Sequence, residues 1–174
     1  MKTEFSITKP NFITKYYFDL IYKNIIKIGK FDENKAILDY GCGYGYLKKW
    51  NLKIGNNSKI INYDIIEELS EIKNIFDVEF EKIVFCQSLY LIDKIEIIEL
   101  LRKLKNKQPN LTIIAVISKQ SLLNKFLSII LFHWKFYDSV KTKPQIEEKI
   151  LRENCTVEEE HDFILSKLIK LKFK

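Results

Sequence analysis

An α/β fold built on a mostly parallel sheet is predicted by three features of this chain. Residues 37–40 form a short apolar strand carrying Asp39 near its end, and that strand runs into Gly41, Gly43 and Gly45 at alternate positions. A second apolar run, residues 59–64, also ends in an acid, Asp64. Beyond it, apolar runs alternate with helical periodicity as far as residue 117, and strands that alternate with helices build parallel sheets covered on both faces. With 174 residues, 47% of them hydrophobic, the chain is long enough for one core burying roughly 70% of the surface its unfolded form exposes. Residues 1–174 are therefore read as a single domain.

Each element follows from its pattern. Residues 11–28 carry Phe12, Tyr16, Leu20, Ile21, Ile25 and Ile28 at helical intervals between Pro10 and Gly29. After the first strand, the glycines permit positive φ and close approach of a ligand to the main chain. The helix that follows, towards residue 52, aims its free N–H groups at the same place. Residues 55–58, Gly-Asn-Asn-Ser, turn the chain into the second strand. Asp64 then lies 21 residues beyond Gly43. A carboxylate there can accept two hydrogen bonds from the vicinal hydroxyls of a ribose, or it can cap the next turn.

Only 17 residues separate Asp64 from the next clear strand, 82–86, too few for a full helix, strand and connection. A brief helix at 66–72 and a vestigial strand or loop at 74–78 are expected. A helix over 95–105, with Ile98, Leu101 and Leu104 on one face, leads to a buried strand at 111–117. Residues 121–140 hold Phe126, Phe132, His133, Trp134, Phe136 and Tyr137, a composition that suits a packed helix and an apolar cover equally. A short amphipathic helix at 144–151 precedes two strand-like runs, 156–159 and 168–173, the second alternating apolar and basic residues.

Glycine spacing separates two kinds of loop. A dinucleotide fingerprint, G-x-G-x-x-G, requires glycine at position 46, where this chain has Tyr46. Leu38-Asp39-Tyr40-Gly41-Cys42-Gly43, followed by Gly45, instead resembles motif I of the class I S-adenosylmethionine-dependent methyltransferases, L-D-x-G-C-G. Residues 80–92 resemble the fourth-strand segment of that family, although Glu81 stands where aspartate is usual and Tyr90 and Leu91 replace two histidines. The likeness covers roughly residues 35–120. It implies a Rossmann-like sheet, mostly parallel with an antiparallel C-terminal strand and shortened around the third strand. Runs 156–159 and 168–173 would be its sixth and seventh strands, residues 1–30 an N-terminal helical cap, and residues 121–140 a substrate lid.

The same resemblance implies S-adenosylmethionine as cofactor, contacted by Asp39, Tyr40, Gly41, Cys42, Gly43, Asp64, Ile65, Gln87 and Ser88. Within that set Asp39, Gly41 and Gly43 would line the methionine end, Asp64 the ribose, and Gln87 and Ser88 the floor beside the sulfonium. Asp77 is the candidate for the adenine amino group. Tyr16, Tyr17 and Trp134 are candidate substrate contacts, and Tyr90 and His133 are candidate bases should the acceptor need to lose a proton.

Composition narrows the partners. Cys42, Cys86 and Cys155 form no C-x-x-C pair and only two histidines accompany them, so no metal site is expected. An odd thiol count and the lack of an apolar leader point to a reduced, cytoplasmic setting. The longest apolar run, residues 126–134, falls short of the roughly 20 residues a bilayer span needs. Net charge is +6, and Lys167, Lys170, Lys172 and Lys174 read as the solvated face of a strand, because no arginine or aromatic cluster accompanies them. Cys86-Gln87-Ser88-Leu89 lacks the Asn/Asp-Pro-Pro-aromatic clamp of enzymes that methylate base amines. The expected acceptor is a small metabolite or lipid precursor, with no nucleic acid. The alternatives are a catalytically silent cofactor-binding subunit and, third, an RNA or protein methyltransferase.

Overall fold

The computed structural model describes residues 12–119, 140–163 and 165–174. In chain order they form α1 (Phe12–Gly29), β1 (Ile37–Tyr40), α2 (Tyr46–Lys53), β2 (Ile60–Tyr63), β3 (Lys82–Cys86), α3 (Lys94–Lys107), β4 (Thr112–Ser118), α4 (Pro144–Asn154), β5 (Cys155–Asp162) and β6 (Ser166–Phe173). One sheet holds all six strands in the order β2-β1-β3-β4-β6-β5. The first four are parallel, and β6 runs antiparallel to both β4 and β5.

The two-residue period of a strand sends alternate side chains to opposite faces. Leu38, Ile83, Phe85, Ile113 and Ala115 pack with Ile97, Leu101 and Leu104 of α3 and Ile150 and Leu151 of α4. Ile37, Val84, Ile114 and Val116 pack on the other face with Ile21, Ile25 and Ile28 of α1 and Leu47 of α2. Both faces are thus covered, which is why β4 reads as a continuous apolar run. At the start of α3 the Asp93 N–H donates to Glu96 Oε2 at 3.0 Å, satisfying one of the donors a helix start leaves open. Pro144 opens α4 at a position where its missing N–H costs nothing.

The shortened region contains no third strand. Residues Glu67–Leu69 and Ile75–Asp77 are single 3₁₀ turns, so the helix expected at 66–72 is one turn and the segment 74–78 is a loop around a turn rather than a vestigial strand. What protects the outer edge of β2 is Glu71. Its N–H donates to the Asn62 carbonyl at 2.9 Å, and its carboxylate accepts the Asn62 N–H at 3.2 Å. One residue thus satisfies both outward main-chain groups of Asn62, a local answer to an exposed edge. The two C-terminal strands are as a result the fifth and sixth of this sheet rather than the sixth and seventh.

The C-terminal lysines are paired locally. Lys167 contacts Glu148 at 3.0 Å and Glu160 at 2.9 Å, while Lys170 and Lys172 reach Glu158 at 3.3 and 3.6 Å. Each such pair is worth at most about 1 kcal/mol at a surface, but together they cancel the charge of this strand face. Among the described residues, no helix is long and apolar enough to cross a membrane.

Candidate functional site

Ligands of open α/β sheets bind beyond the C-terminal strand ends, at the point where the winding direction reverses. Here that point is β1, because β2 lies on one side of it and β3, which continues to β4, lies on the other. Asp39, the glycine loop, Asp64, Gln87 and Ser88 all fall at this edge: Asp39, Asp64, Gln87 and Ser88 lie within two residues of the end of β1, β2 or β3, and the loop leaves the end of β1 directly.

The loop is tied to β2 by its own main chain. The N–H groups of Gly41 and Cys42 donate to the Tyr63 carbonyl at 2.8 and 3.1 Å, and Gly43 N–H donates to Asp64 Oδ2 at 2.9 Å. Asp64 Oδ1 accepts the Ile66 N–H at 3.0 Å. Asp64 therefore spans the two loops that border the site, and each of its oxygens keeps one further lone-pair position. Gly41 and Gly43 need glycine for different reasons, although both are left-handed, with φ of 73° and 51°. A Cβ on Gly41 would meet Ser88 Cβ at 2.4 Å, whereas a Cβ on Gly43 would have nothing within 4 Å. The first glycine lets the loop rest on the end of β3, and the second faces open space.

Two carboxyl groups, Asp39 and Asp64, give this edge a negative character. Asp39 is 3% exposed. Burial, and secondarily the Asp64 carboxylate, push its pKa up to about 7. Burial also pushes the Cys42 thiol up to about 12, with Asp39 and Asp64 adding to the effect, and raises Cys86 further still. Both cysteines are protonated and unreactive in such surroundings. On α1, Tyr22 lies within electrostatic reach of Asp39, and burial holds its hydroxyl far above the ordinary range.

The rim is apolar. Ile65, directly after Asp64, is 70% exposed, and Tyr44 and Tyr46 stand half-exposed with ring centroids 6.4 Å apart. Tyr40 contributes only its main chain to this edge. The strand period turns its ring to the opposite face from Asp39, against Tyr63 at 5.0 Å and Phe85 at 5.3 Å.

On the β3 side, Gln87 is left-handed at φ 55°, a conformation that is uncommon for a residue with a Cβ and concentrates at functional sites. Its side chain lies within electrostatic reach of the Tyr17 hydroxyl, which donates to Ser166 Oγ at 2.7 Å. Burial raises Tyr17 to about 12, so it is a neutral donor. The α1 cap therefore reaches the site through Tyr17, whereas Tyr16, one residue earlier on the helix, is 69% exposed. Ser88 is buried, and its Oγ has no hydrogen-bond partner.

The remaining candidates are placed differently. Tyr90 is buried beyond Ser88 near Glu147, and its hydroxyl is raised far above the ordinary range by burial, so it holds its proton. Its carbonyl accepts the N–H groups of Lys141 and Thr142. Asp77 is exposed in a turn ahead of the N-terminal end of β3, bonded to Asn74 at 3.1 Å, and so sits at the opposite edge of the sheet from Asp64. His133, Trp134 and residues 121–139 of the expected lid lie outside the described residues. Among the described residues no group of three metal-ligating side chains occurs. Glu147, which no sequence pattern marks out, is fully buried in α4; its carboxylate oxygens have no hydrogen-bond partner among the described residues, and burial pushes its pKa up to about 8.

No protein-family model and no curated protein matches this chain. Solved structures do. The pyocyanin biosynthetic protein PhzM aligns with 90% of this chain and 55% of its own at 13% identity, with a TM-score of 0.67. The PH0226 protein from Pyrococcus horikoshii OT3 aligns with 92% of this chain and 91% of its own at 15% identity, TM-score 0.68. Human N-acetylserotonin methyltransferase, in complex with S-adenosylmethionine, aligns with 91% of this chain and 55% of its own at 14% identity, TM-score 0.59. The chain has the class I methyltransferase fold. It spans about half the length of PhzM and of the human enzyme. Within this methyltransferase fold, the β1 edge occupied by Asp39 and the glycine loop is the switch point described above.

Proposed function

We propose that this chain is a methyltransferase that moves a methyl group from S-adenosylmethionine to a small metabolite or lipid precursor. The observation that carries the reading is the hydrogen bonding of the glycine loop. The N–H groups of Gly41, Cys42 and Gly43 are all consumed by Tyr63 and Asp64, so the loop offers none of them to a pyrophosphate. It offers instead an open surface over Gly43, the free lone pairs of Asp64, the exposed face of Ile65 and the unpartnered Ser88 Oγ. These suit a nucleoside that carries no phosphate, with Asp64 accepting from ribose hydroxyls and Ile65 supplying apolar contact. The S-adenosylmethionine held by the human neighbour supports the same cofactor.

When bound, S-adenosylmethionine supplies a methyl group on a positively charged sulfur. This chain's task is then mainly to hold the acceptor in line, an effect that can lower a barrier by about 7–11 kcal/mol without any acid or base. Gln87 and Tyr17 form a neutral polar floor on the β3 side, where the acceptor would lie. Lys167, Lys170 and Lys172 pair with Glu148, Glu158 and Glu160, so this strand face is not itself a phosphate-binding surface.

Calorimetric titration with S-adenosylmethionine and, separately, NADH tests the cofactor. Micromolar binding of the first alone is the expected result, and binding of NADH alone would overturn it. Transfer of labelled methyl to a metabolite extract then separates an enzyme from a silent cofactor-binding subunit.

A further inference from the structure

The excess positive charge of this chain gathers on one layer of the fold. Helices α1 and α2 cover the same face of the sheet and carry Lys15, Lys23, Lys27, Lys48, Lys49 and Lys53 against one acid, Asp19. That is a net +5, where the whole chain has +6. The layer on the opposite face, α3 and α4, holds seven basic residues against five acidic ones. Lys48 pairs with Glu71 at 2.5 Å, but none of the other five lysines of the α1–α2 layer is in an ion pair among the described residues. The same layer is rich in exposed apolar side chains. Tyr16 and Leu20 on α1, Tyr46 and Leu52 on α2, and the flanking Tyr44 and Ile54 make up six of the ten large apolar side chains that stand exposed among the described residues. Helical spacing aligns the two kinds of residue. On α1, Tyr16, Leu20, Lys23 and Lys27 form one stripe turned away from the buried Ile21, Ile25 and Ile28. On α2, Tyr46, Lys49 and Lys53 do the same opposite Leu47 and Asn51. Along both stripes the apolar residues come first, and the first turns lie at the ligand edge: α2 leaves the glycine loop, and Tyr17 reaches Ser166, which pairs with Ser118 at the end of β4.

We propose that the α1–α2 layer is a docking surface for an anionic lipid bilayer. A bilayer fits this surface better than other polyanions do. Lysine is drawn to phosphate in a lipid and in a nucleic acid alike, but the exposed aliphatic side chains of Leu20, Leu52 and Ile54 gain nothing from a nucleic-acid backbone. They do gain by entering the boundary between head groups and acyl chains. Neither helix contains an arginine, the residue that stacks on and forks to single-stranded bases and phosphates. Lysine, tyrosine and aliphatic residues on one helical face are the mixture that lies in a membrane interface. Five lysines without an ion pair make a cluster of the size that binds anionic lipid, and each brought to such a surface strengthens partitioning about fivefold. The docking does not rest on the cofactor reading. Where that reading also holds, the first turns of both helices bring the ligand edge to the lipid surface, and the acceptor is a molecule carried in the bilayer rather than a solute.

Co-sedimentation of the whole chain with vesicles of phosphatidylcholine, with and without phosphatidylserine, tests the surface. Binding is expected only where phosphatidylserine is present, and it should weaken as salt is raised. Lys23→Glu combined with Lys27→Glu should weaken it by at least about 25-fold, two lysines at fivefold each. Leu20→Ser combined with Leu52→Ser should weaken it while leaving the preference for phosphatidylserine in place. Lys103→Glu combined with Lys105→Glu makes the same change of net charge on α3, in the opposite layer, and should cost far less. All six positions are exposed, so the variants are expected to melt with the wild type. No binding to phosphatidylserine vesicles, equal loss from the α1 and α3 pairs, or binding of a single-stranded RNA in place of the vesicles overturns the proposal. Vesicle binding by a chain that takes up no S-adenosylmethionine upholds the docking surface and overturns the cofactor reading instead.

Discussion

Replacing Gly41 by alanine imposes two costs that the structure allows to be measured apart. The first is conformational, since φ is 73° and a left-handed residue with a Cβ costs about 1–2 kcal/mol. The second is steric. The new Cβ would stand 2.4 Å from Ser88 Cβ, where carbon atoms prefer about 3.5–4.0 Å. Relieving more than an ångström of overlap means parting the glycine loop from the end of β3, an overpacking cost of about 1–3 kcal/mol. Together these give about 2–5 kcal/mol of lost stability. Ser88→Gly removes the obstructing atom, so in that background Gly41→Ala should cost only the conformational part. Urea unfolding of the wild type, both single variants and the double variant yields the coupling, expected at about 1–3 kcal/mol. Equal cost of Gly41→Ala in both backgrounds would refute the claim that the two residues are in contact.

Gly43→Ala should behave oppositely: no steric cost in the folded chain, about 1–2 kcal/mol from its left-handed backbone, and a larger loss of S-adenosylmethionine affinity, read by calorimetry, because the methyl group enters the open space. Asp64→Ala is expected to weaken cofactor binding by about 1.5–3 kcal/mol, the value of hydrogen bonds to a charged group. It should also free the Gly43 amide to exchange with deuterium. For Glu147, the folded state holds a proton up to about pH 8 against an ordinary value of 4.5. The folded chain therefore binds more protons than the unfolded one in that window, and stability falls as pH rises through it, by at most about 1.4 kcal/mol per pH unit. Glu147→Gln removes this slope, so urea midpoints of variant and wild type should diverge from pH 5 to pH 8, and parallel curves would exclude a buried, unpaired carboxyl there.

What the sequence made legible is what neighbours along the chain decide. The passage from β1 through the glycine loop and α2 to β2 is readable because strand alternation, positive-φ residues and terminal acids all act over a few positions. The last strand is readable for the same reason, from the alternation of Ile169, Lys170, Leu171, Lys172 and Phe173. Tyr40, expected among the cofactor contacts, turns its ring away from the face that Asp39 takes, because side chains at adjacent strand positions point apart. The shortening after Asp64 shows as a missing length. Its repair by Glu71 does not, because an edge sealed by one residue's N–H and carboxylate leaves no pattern. Glu147 is invisible for a tertiary reason: in Gln-Ile-Glu-Glu-Lys it looks like a solvated helix face, and only the packing of α4 beside Tyr90 and the sheet reveals it as the buried member of the pair. Asp77 fails as an adenine contact because, without a third strand, nothing carries the chain to the ligand edge before β3 begins.

The glycine loop hangs on Tyr63 and Asp64, the last residue of β2 and the one after it, and β2 is the outermost strand on its side. Outer strands open before the centre of a sheet does. Warming should then unhook the loop while β1, β3 and β4 are still paired, so that the chain loses its grip on ligand at a temperature below the one at which it melts. The heat ceiling on its working life is set at the margin of the sheet rather than by the core.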